Sequence, residues 1–447
     1  MRAGPTLRVA GAVACAASIL VAAAAGAAKG PGGERCVADR GAHGCARARP
    51  GSLDGARALA LSRDGRDAYV ASAGAGSVTR IDVAGGALTV RGCTADRGSH
   101  GCAGGGVHSL AGASGIAVSP DGRDVYVASF RASAVTAMRR TPGGGLRVLG
   151  CVADGGRGGC AAPAGDSLDG AGAIALSGDG RSAYVASYYS GSITAFARNR
   201  STGALADRGC AASGREGGCA AIPNDSLRGA SGVAVSPDGR SVYVVSAAAD
   251  TIVSFARDAS DGSLTYRGCI ANVGAAGCAR APLRSLGDPL GVAVSPDGRS
   301  VYVASAAGDS LTWFRRQRRS GRIGERGCIA NRGRSGCADP PRDSLAGAGA
   351  VAVAPGGDRV YVAGGLGDSL TTLRRRPATG RVAFAACLAN RGRNGCRDLP
   401  HDSLGGAAGV AAAPSGGGVF VASQGADAVT RIGRGCGGGS GCRQHPN

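Results

Sequence analysis

A unit of about 59 residues recurs seven times along this 447-residue chain. Its marker is a tight turn followed by an apolar strand that carries an aromatic residue. The turn reads Ser-Arg-Asp-Gly-Arg from Ser62, Ser-Pro-Asp-Gly-Arg from Ser119, Ser236 and Ser295, and Ser-Gly-Asp-Gly-Arg from Ser177. Degenerate copies begin at Ala354 and Ala413. The aromatic falls at Tyr69, Tyr126, Tyr184, Tyr243, Tyr302, Tyr361 and Phe420, in steps of 57, 58 and then 59 four times. A fixed period of this size means a repeat architecture. Length alone suggests two or three domains, but seven copies of one unit can close into a single body.

The unit from Ser226 to Cys278 divides into four strands. Gly232–Ser236 is the first, and Pro237-Asp238-Gly239 forms the hairpin turn. Ser241–Ser246 is the second, Thr251–Ala256 the third and Leu264–Arg267 the fourth, followed by a loop bounded by two cysteines. Both strand faces are apolar or small: Val233 and Val235 oppose Ala234, and Val242 and Val244 oppose Tyr243. A half-exposed sheet alternates with polar residues instead. Each sheet is therefore packed on both sides by its neighbours. The predicted fold is all-β: one seven-bladed β-propeller of four-stranded antiparallel blades, with a disulfide-bridged loop between successive blades. A β-solenoid fits the Asp-Gly hairpins poorly. With aromatics at 4% and 82 glycines, the core is built from Val, Ile, Leu and Ala in thin layers. The propeller is expected over residues 28–447. Gly32–Cys36 matches Gly324–Cys328, and the last repeat lacks its own fourth strand. The N-terminal segment is predicted to supply it.

The stretch Gly291 to Ser305 resembles the YVTN-type β-propeller repeat of the lactonase-like seven-bladed propellers and of many secreted or surface propellers. The resemblance covers all seven units and departs from the family pattern by adding a cysteine-bounded loop to each. It implies that first strands line a central channel and that the cysteine loops share one face with the loops between strands two and three. It also implies an alternative activity, a lactonase-like hydrolase acting on a small lactone at the channel mouth.

Residues 1–27 read as a secretory signal: Arg2 and Arg8, an apolar run from Val9 to Ala25, and Ala25-Gly26-Ala27 as cleavage site. A secreted or cell-envelope-associated protein follows, with no transmembrane segment in the mature chain. Beyond Cys15, sixteen cysteines remain. Seven pairs share one spacing: Cys36/Cys45, Cys93/Cys102, Cys151/Cys160, Cys210/Cys219, Cys269/Cys278, Cys328/Cys337 and Cys387/Cys396. The eighth pair, Cys436 with Cys442, is more closely spaced. Local disulfides are expected for all eight. An Asp or Asn stands three residues after the first cysteine in six loops, and a Gly precedes each second cysteine of the seven regular pairs. These residues make the tight turns that bring two cysteines together. Zinc wants four ligands and each loop offers two, so no metal is expected.

The formal charge is +20. It suits an anionic partner, while the near-exclusive use of Arg over Lys also fits codon bias. Nucleic acid is not expected, because no stacking aromatics accompany the arginines. Candidate ligand-binding residues are the recurring Asp250, Asp309, Asp368 and Asp427, the loop arginines Arg332, Arg334, Arg391 and Arg393, and His401. Turn formation by Asp accounts for the same recurrence. No catalytic residue is assigned: histidines and glutamates are few, and no nucleophile elbow is present. The reading favoured by the sequence is a non-enzymatic, monomeric scaffold without a cofactor. It binds a ligand or an extracellular or cell-envelope partner through its cysteine-loop face.

Overall fold

The computed structural model describes residues 35–142, 145–214, 218–274 and 277–433. Residues 1–27, expected to be a secretory signal, lie outside them. The disulfide expected between Cys436 and Cys442 also falls outside the described residues, so neither Cys436 nor Cys442 is among the bridged cysteines below. Seven sheets, one per repeat, form the blades of a β-propeller. Blades I to VII begin with the inner strands Ala56–Leu61, Ala113–Val118, Ala171–Leu176, Ala230–Val235, Pro289–Val294, Ala348–Val353 and Ala407–Ala412. Each inner strand pairs antiparallel with the strand that carries the repeat's aromatic residue. In blade VII the outermost antiparallel place is filled by Arg35–Asp39, with Cys36 opposite Thr430 and Val37 opposite Val429.

Five blades carry one strand more than the sequence reading counted. After the fourth strand the chain turns back and adds a short parallel strand outside it, such as Ala220–Ile222 beside Ala211–Ser213. Blades II and V show single parallel bridges, Val152 to Ala161 and Ile329 to Ala338. The return is made by the seven disulfides Cys36–Cys45, Cys93–Cys102, Cys151–Cys160, Cys210–Cys219, Cys269–Cys278, Cys328–Cys337 and Cys387–Cys396. Between Cys93 and Cys102 two successive left-handed pairs, Arg97-Gly98 and His100-Gly101, reverse the chain. The side chain three residues after the first cysteine does not close this turn. It reaches out to the N–H of the buried Leu that precedes the next inner strand: Asp39 to Leu53, Asp154 to Leu168, Asn331 to Leu345.

A polar staple joins neighbouring blades. The Arg257 guanidinium of blade IV donates from Nε to the Tyr184 hydroxyl of blade III (2.9 Å), from Nη1 to the Gly239 carbonyl (3.1 Å) and from Nη2 to Asp179 (2.9 Å). The Tyr184 hydroxyl donates in turn to the Gly262 carbonyl at 2.7 Å. Arg140, Arg198, Arg316 and Arg375 repeat the arrangement on Tyr69, Tyr126, Tyr243 and Tyr302. Burial works to raise the Asp121 carboxyl in the second staple, but hydrogen bonds from Ser119 and Arg198 outweigh it and hold the pKa down to about 2. At the seam between blades VII and I both polar partners are replaced. Phe420 takes the place of Tyr, and Val83, which packs against the same core, takes the place of Arg.

Arg257→Ala should cost about 3 kcal/mol, because it removes the donor to the Tyr184 hydroxyl oxygen and Ser182 Oγ and takes the cation from Asp179, while Tyr184 keeps only its bond to the Gly262 carbonyl. The paired change Tyr184→Phe with Arg257→Val, which copies the closing seam, should cost less than the sum of its two single changes. Chemical denaturation of the four proteins measures the coupling, and simple additivity would refute the staple as a unit. A second expectation concerns the loop carboxylates. Burial, with repulsion from Asp427 and Asp54, pushes Asp39 up to about 6, and burial with Asp166 and Asp169 does the same to Asp154. A carboxyl raised in the folded state destabilises above its folded pKa, and the penalty fades as pH falls from about 6 toward 3.8. Asp39→Asn and Asp154→Asn should each stabilise by up to about 1 kcal/mol at pH 7, allowing for solvent screening, and by little at pH 4.

Candidate functional site

Every inner strand carries a β-bulge at its second residue. In blade I, Ala56 faces Ser72 and Ala58 faces Ala71, so Arg57 has no partner in the ladder. The same slip frees Ser114, Gly172, Ser231, Leu290, Gly349 and Ala408. A bulge re-aims a side chain that would otherwise follow the pleat. All seven bulge residues line one central cavity of about 840 Å³. The next residue in each strand is Gly or Ala, because adjacent inner strands nearly touch there. A Cβ on Gly232 would lie 2.6 Å from the Leu290 carbonyl oxygen, and one on Gly409 would lie 2.7 Å from that of Arg57.

The bulge column is where the repeat loses its regularity, and a second irregular column adjoins it. The residue after the second strand is Phe130 in blade II, Tyr188 in blade III and Gln424 in blade VII, and all three line the cavity. A third break is a single residue. Before the inner strands of the other six blades stands a glycine with positive φ, among them Gly55 (65°), Gly229 (71°) and Gly347 (66°). Blade V has Asp288 there instead, at φ 51°, a left-handed conformation that Asp also takes at Asp250, Asp309, Asp368 and Asp427, so the break is the carboxyl it adds.

The mouth thus holds one cation and one carboxyl on different blades. The Arg57 guanidinium has Gln424 Oε1 at 3.4 Å, and among the described residues no carboxylate pairs with it. Burial lowers its pKa from the ordinary value. Burial raises the Asp288 carboxyl, and repulsion from Asp250 adds to the shift. The Asp288 N–H donates to Asp250 Oδ1 at 2.8 Å, which fixes the strained backbone. Ser231 donates to the Pro289 carbonyl at 2.7 Å. Phe130, Tyr188 and Tyr189 form an aromatic wall with centroids 5.1 to 6.1 Å apart.

Of the residues singled out from the sequence, Asp250 touches this mouth through the Asp288 backbone. Asp309, Asp368 and Asp427 accept the N–H of Gly347, Gly406 and Gly55 at 2.8 to 2.9 Å, each tying its blade to the next. Arg332 pairs with Asp343, Arg334 with Asp309, Arg391 with Asp402 and Arg393 with Asp368. His401 lies against the first cysteine loop, where a Cβ on Gly44 would meet its Nδ1 at 3.3 Å. Among the described residues no group of three or more His, Cys, Asp or Glu is placed to hold a metal. Arg57, Asp288, Tyr188 and Gln424 escaped the sequence reading. Their signal was a break in a column otherwise filled by small residues.

A family model for lactonase, the seven-bladed β-propeller, matches residues 38–222 and 166–340. No curated protein matches the chain. Among solved structures, a candidate 6-phosphogluconolactonase from Bacteroides uniformis superposes with a TM-score of 0.53 at 18% identity, over 82% of this chain and 88% of that one. Hydrazine synthase from Kuenenia stuttgartiensis gives 0.55 at 16% identity, over 85% and 96%. The Cps50 (Swd1) propeller domain of Myceliophteria thermophila gives 0.55 at 9% identity, over 85% and 96%. Neighbours this distant and this different from one another share the fold alone. The family model matches more than half of the chain, and by it this chain belongs to the lactonase family of seven-bladed β-propellers.

Proposed function

We propose that the channel mouth is the active site of a hydrolase that opens a small lactone. The observation that carries this reading is the gathering of the polar irregularities of the inner-strand columns at one end of the channel. Repeated residues build the scaffold, and the exceptions Arg57, Asp288, Tyr188 and Gln424 line one cavity. The scaffold reading of the cysteine-loop face has less to draw on, since Arg332, Arg334, Arg391 and Arg393 are already engaged with carboxylates. Seven disulfides agree with an oxidising, extracytoplasmic compartment.

Asp288 is the base. Its carboxylate takes a proton from water, the hydroxide adds to the lactone carbonyl, and the ring C–O bond breaks. The proton then passes from Asp288 to the departing alkoxide, and the open hydroxy acid ionises to the hydroxy-carboxylate, releasing its acid proton to solvent. A base with a raised pKa is better matched to neutral pH than an ordinary carboxylate. Arg57 offers the cation for the carboxylate produced, and the Phe130–Tyr188 wall supports an apolar ring face.

A pH-stat assay of the purified protein on a lactone panel tests the reading. Turnover should rise with pH through an inflection above the usual carboxylate range. Asp288→Asn should lower kcat by about 10²-fold or more, and Arg57→Gln should act on KM. Absence of turnover on every lactone, or full activity in Asp288→Asn, would sink the proposal. Asp288→Gly, which restores the residue of the other six blades, should raise stability by about 0.5–1 kcal/mol while removing activity.

A further inference from the structure

A second concavity lies away from the channel, between blades V and VI. It has a volume of about 1270 Å³, and the side chains of Arg299, Arg315, Arg318, Arg326 and Arg381 line it. All five are exposed. Among the described residues none of them forms an ion pair, and no acidic residue lines the cleft. Glu325, next in sequence to Arg326, faces the other way and is half-buried, with its Oε1 3.4 Å from Ser285 Oγ. The sixth arginine of the lining, Arg316, is committed to the staple on Tyr243. The floor is kept open by Gly324, where an added Cβ would meet nothing within 4 Å.

Part of this density belongs to the repeat, since Arg299 and Arg326 have counterparts in Arg181 and Arg208 of blade III and in Arg240 and Arg267 of blade IV, but Arg315 adds to it. Arg315 faces Ser300 in its ladder, where blades III and IV pair Ser182 with Ala197 and Ser241 with Ala256; the equivalent Arg139 of blade II faces a carboxylate, Asp124, which the cleft lacks. Five cations gathered in one recess without a counter-charge repel one another, and a bound polyanion turns that repulsion into binding energy. We propose that this cleft is a binding site for an acidic polysaccharide, one that carries sulfate or carboxylate groups along its chain. The recess is too large for a single inorganic anion. A nucleic acid strand would need exposed aromatic faces for its bases, and the one aromatic in the lining, Trp313, is 6% exposed with its indole beneath Gly327.

The test is calorimetric titration, at physiological salt, with a heparin hexasaccharide, a galacturonate hexamer, maltohexaose and single-stranded DNA of matched charge. At least one acidic hexasaccharide should bind, maltohexaose should not, and DNA should bind more weakly than the better glycan. The variant Arg315→Ser/Arg318→Ser/Arg381→Ser should bind that glycan roughly tenfold more weakly. The variant Arg63→Ser/Arg123→Ser/Arg181→Ser removes the same charge from exposed turns elsewhere, and it should stay within about twofold of the parent. Thermal melting confirms that both are folded; if the cleft triple is not, Arg318→Glu alone takes its place with the same expectation. Equal weakening by the two triples, unchanged binding in the cleft variant, no binding of either acidic glycan, or tighter binding of DNA would each overturn the assignment.

Discussion

The guanidinium that reaches from one blade to the tyrosine of the blade before it holds the ring together. Strands this poor in aromatics and rich in Ala and Gly bury little area per residue, so face-to-face packing alone leaves each seam weakly specified. The staple adds direction. Arg257 commits its donors to a hydroxyl, a carbonyl and a carboxylate whose positions belong to two different blades. A buried ion pair is not in itself a strong source of stability. Its value here lies in register, because a blade rotated or slid by one residue would leave a buried guanidinium unpaired.

The closing seam shows what the staple costs. Phe420 and Val83 fill the same space with apolar atoms and need no desolvation. At this seam the ring is also joined by backbone bonds, since Arg35–Asp39 pairs with Ala428–Gly433. Where the ladder itself crosses from the chain's beginning to its end, register is already fixed, and an apolar pair suffices. The disulfides act on another scale. Each constrains a loop of nine-residue separation, and through a side chain within it, Asx in six loops and Ser213 in the other, accepts a hydrogen bond from the next blade's buried Leu.

The period, the turn residues and the cysteine spacing made blade number, strand order and the local disulfides legible in the sequence. The fifth strand was not, because Ala220–Ile222 and its counterparts are two or three residues long and show no alternation. The staple was half visible: the Asp-Gly turns stood out, but the arginine that bonds them lies about 78 residues further on, in the next repeat. The site was harder still. Recurrence drew attention to Asp309, Asp368 and Asp427, and recurrence is what scaffold residues have. Each turned out to hold a backbone N–H of the following blade.

Arg57, Ser114, Ser231 and Leu290 occupy the one inner-strand position that the β-bulge withdraws from both the ladder and the packing between blades. The neighbouring column can hardly vary, because at Gly115, Gly232, Gly291 and Gly409 even a Cβ would strike the adjacent strand. The bulge column can, at almost no cost to the fold. A seven-fold scaffold therefore carries a built-in variable ring at the mouth of its channel, one side chain per blade. Asp288 goes further, since it places a carboxyl where the backbone prefers glycine and where Asp250 repels its charge. The fold asks there for a residue that accepts a left-handed backbone, and six blades meet that with glycine, so the carboxyl is an addition that the scaffold does not require.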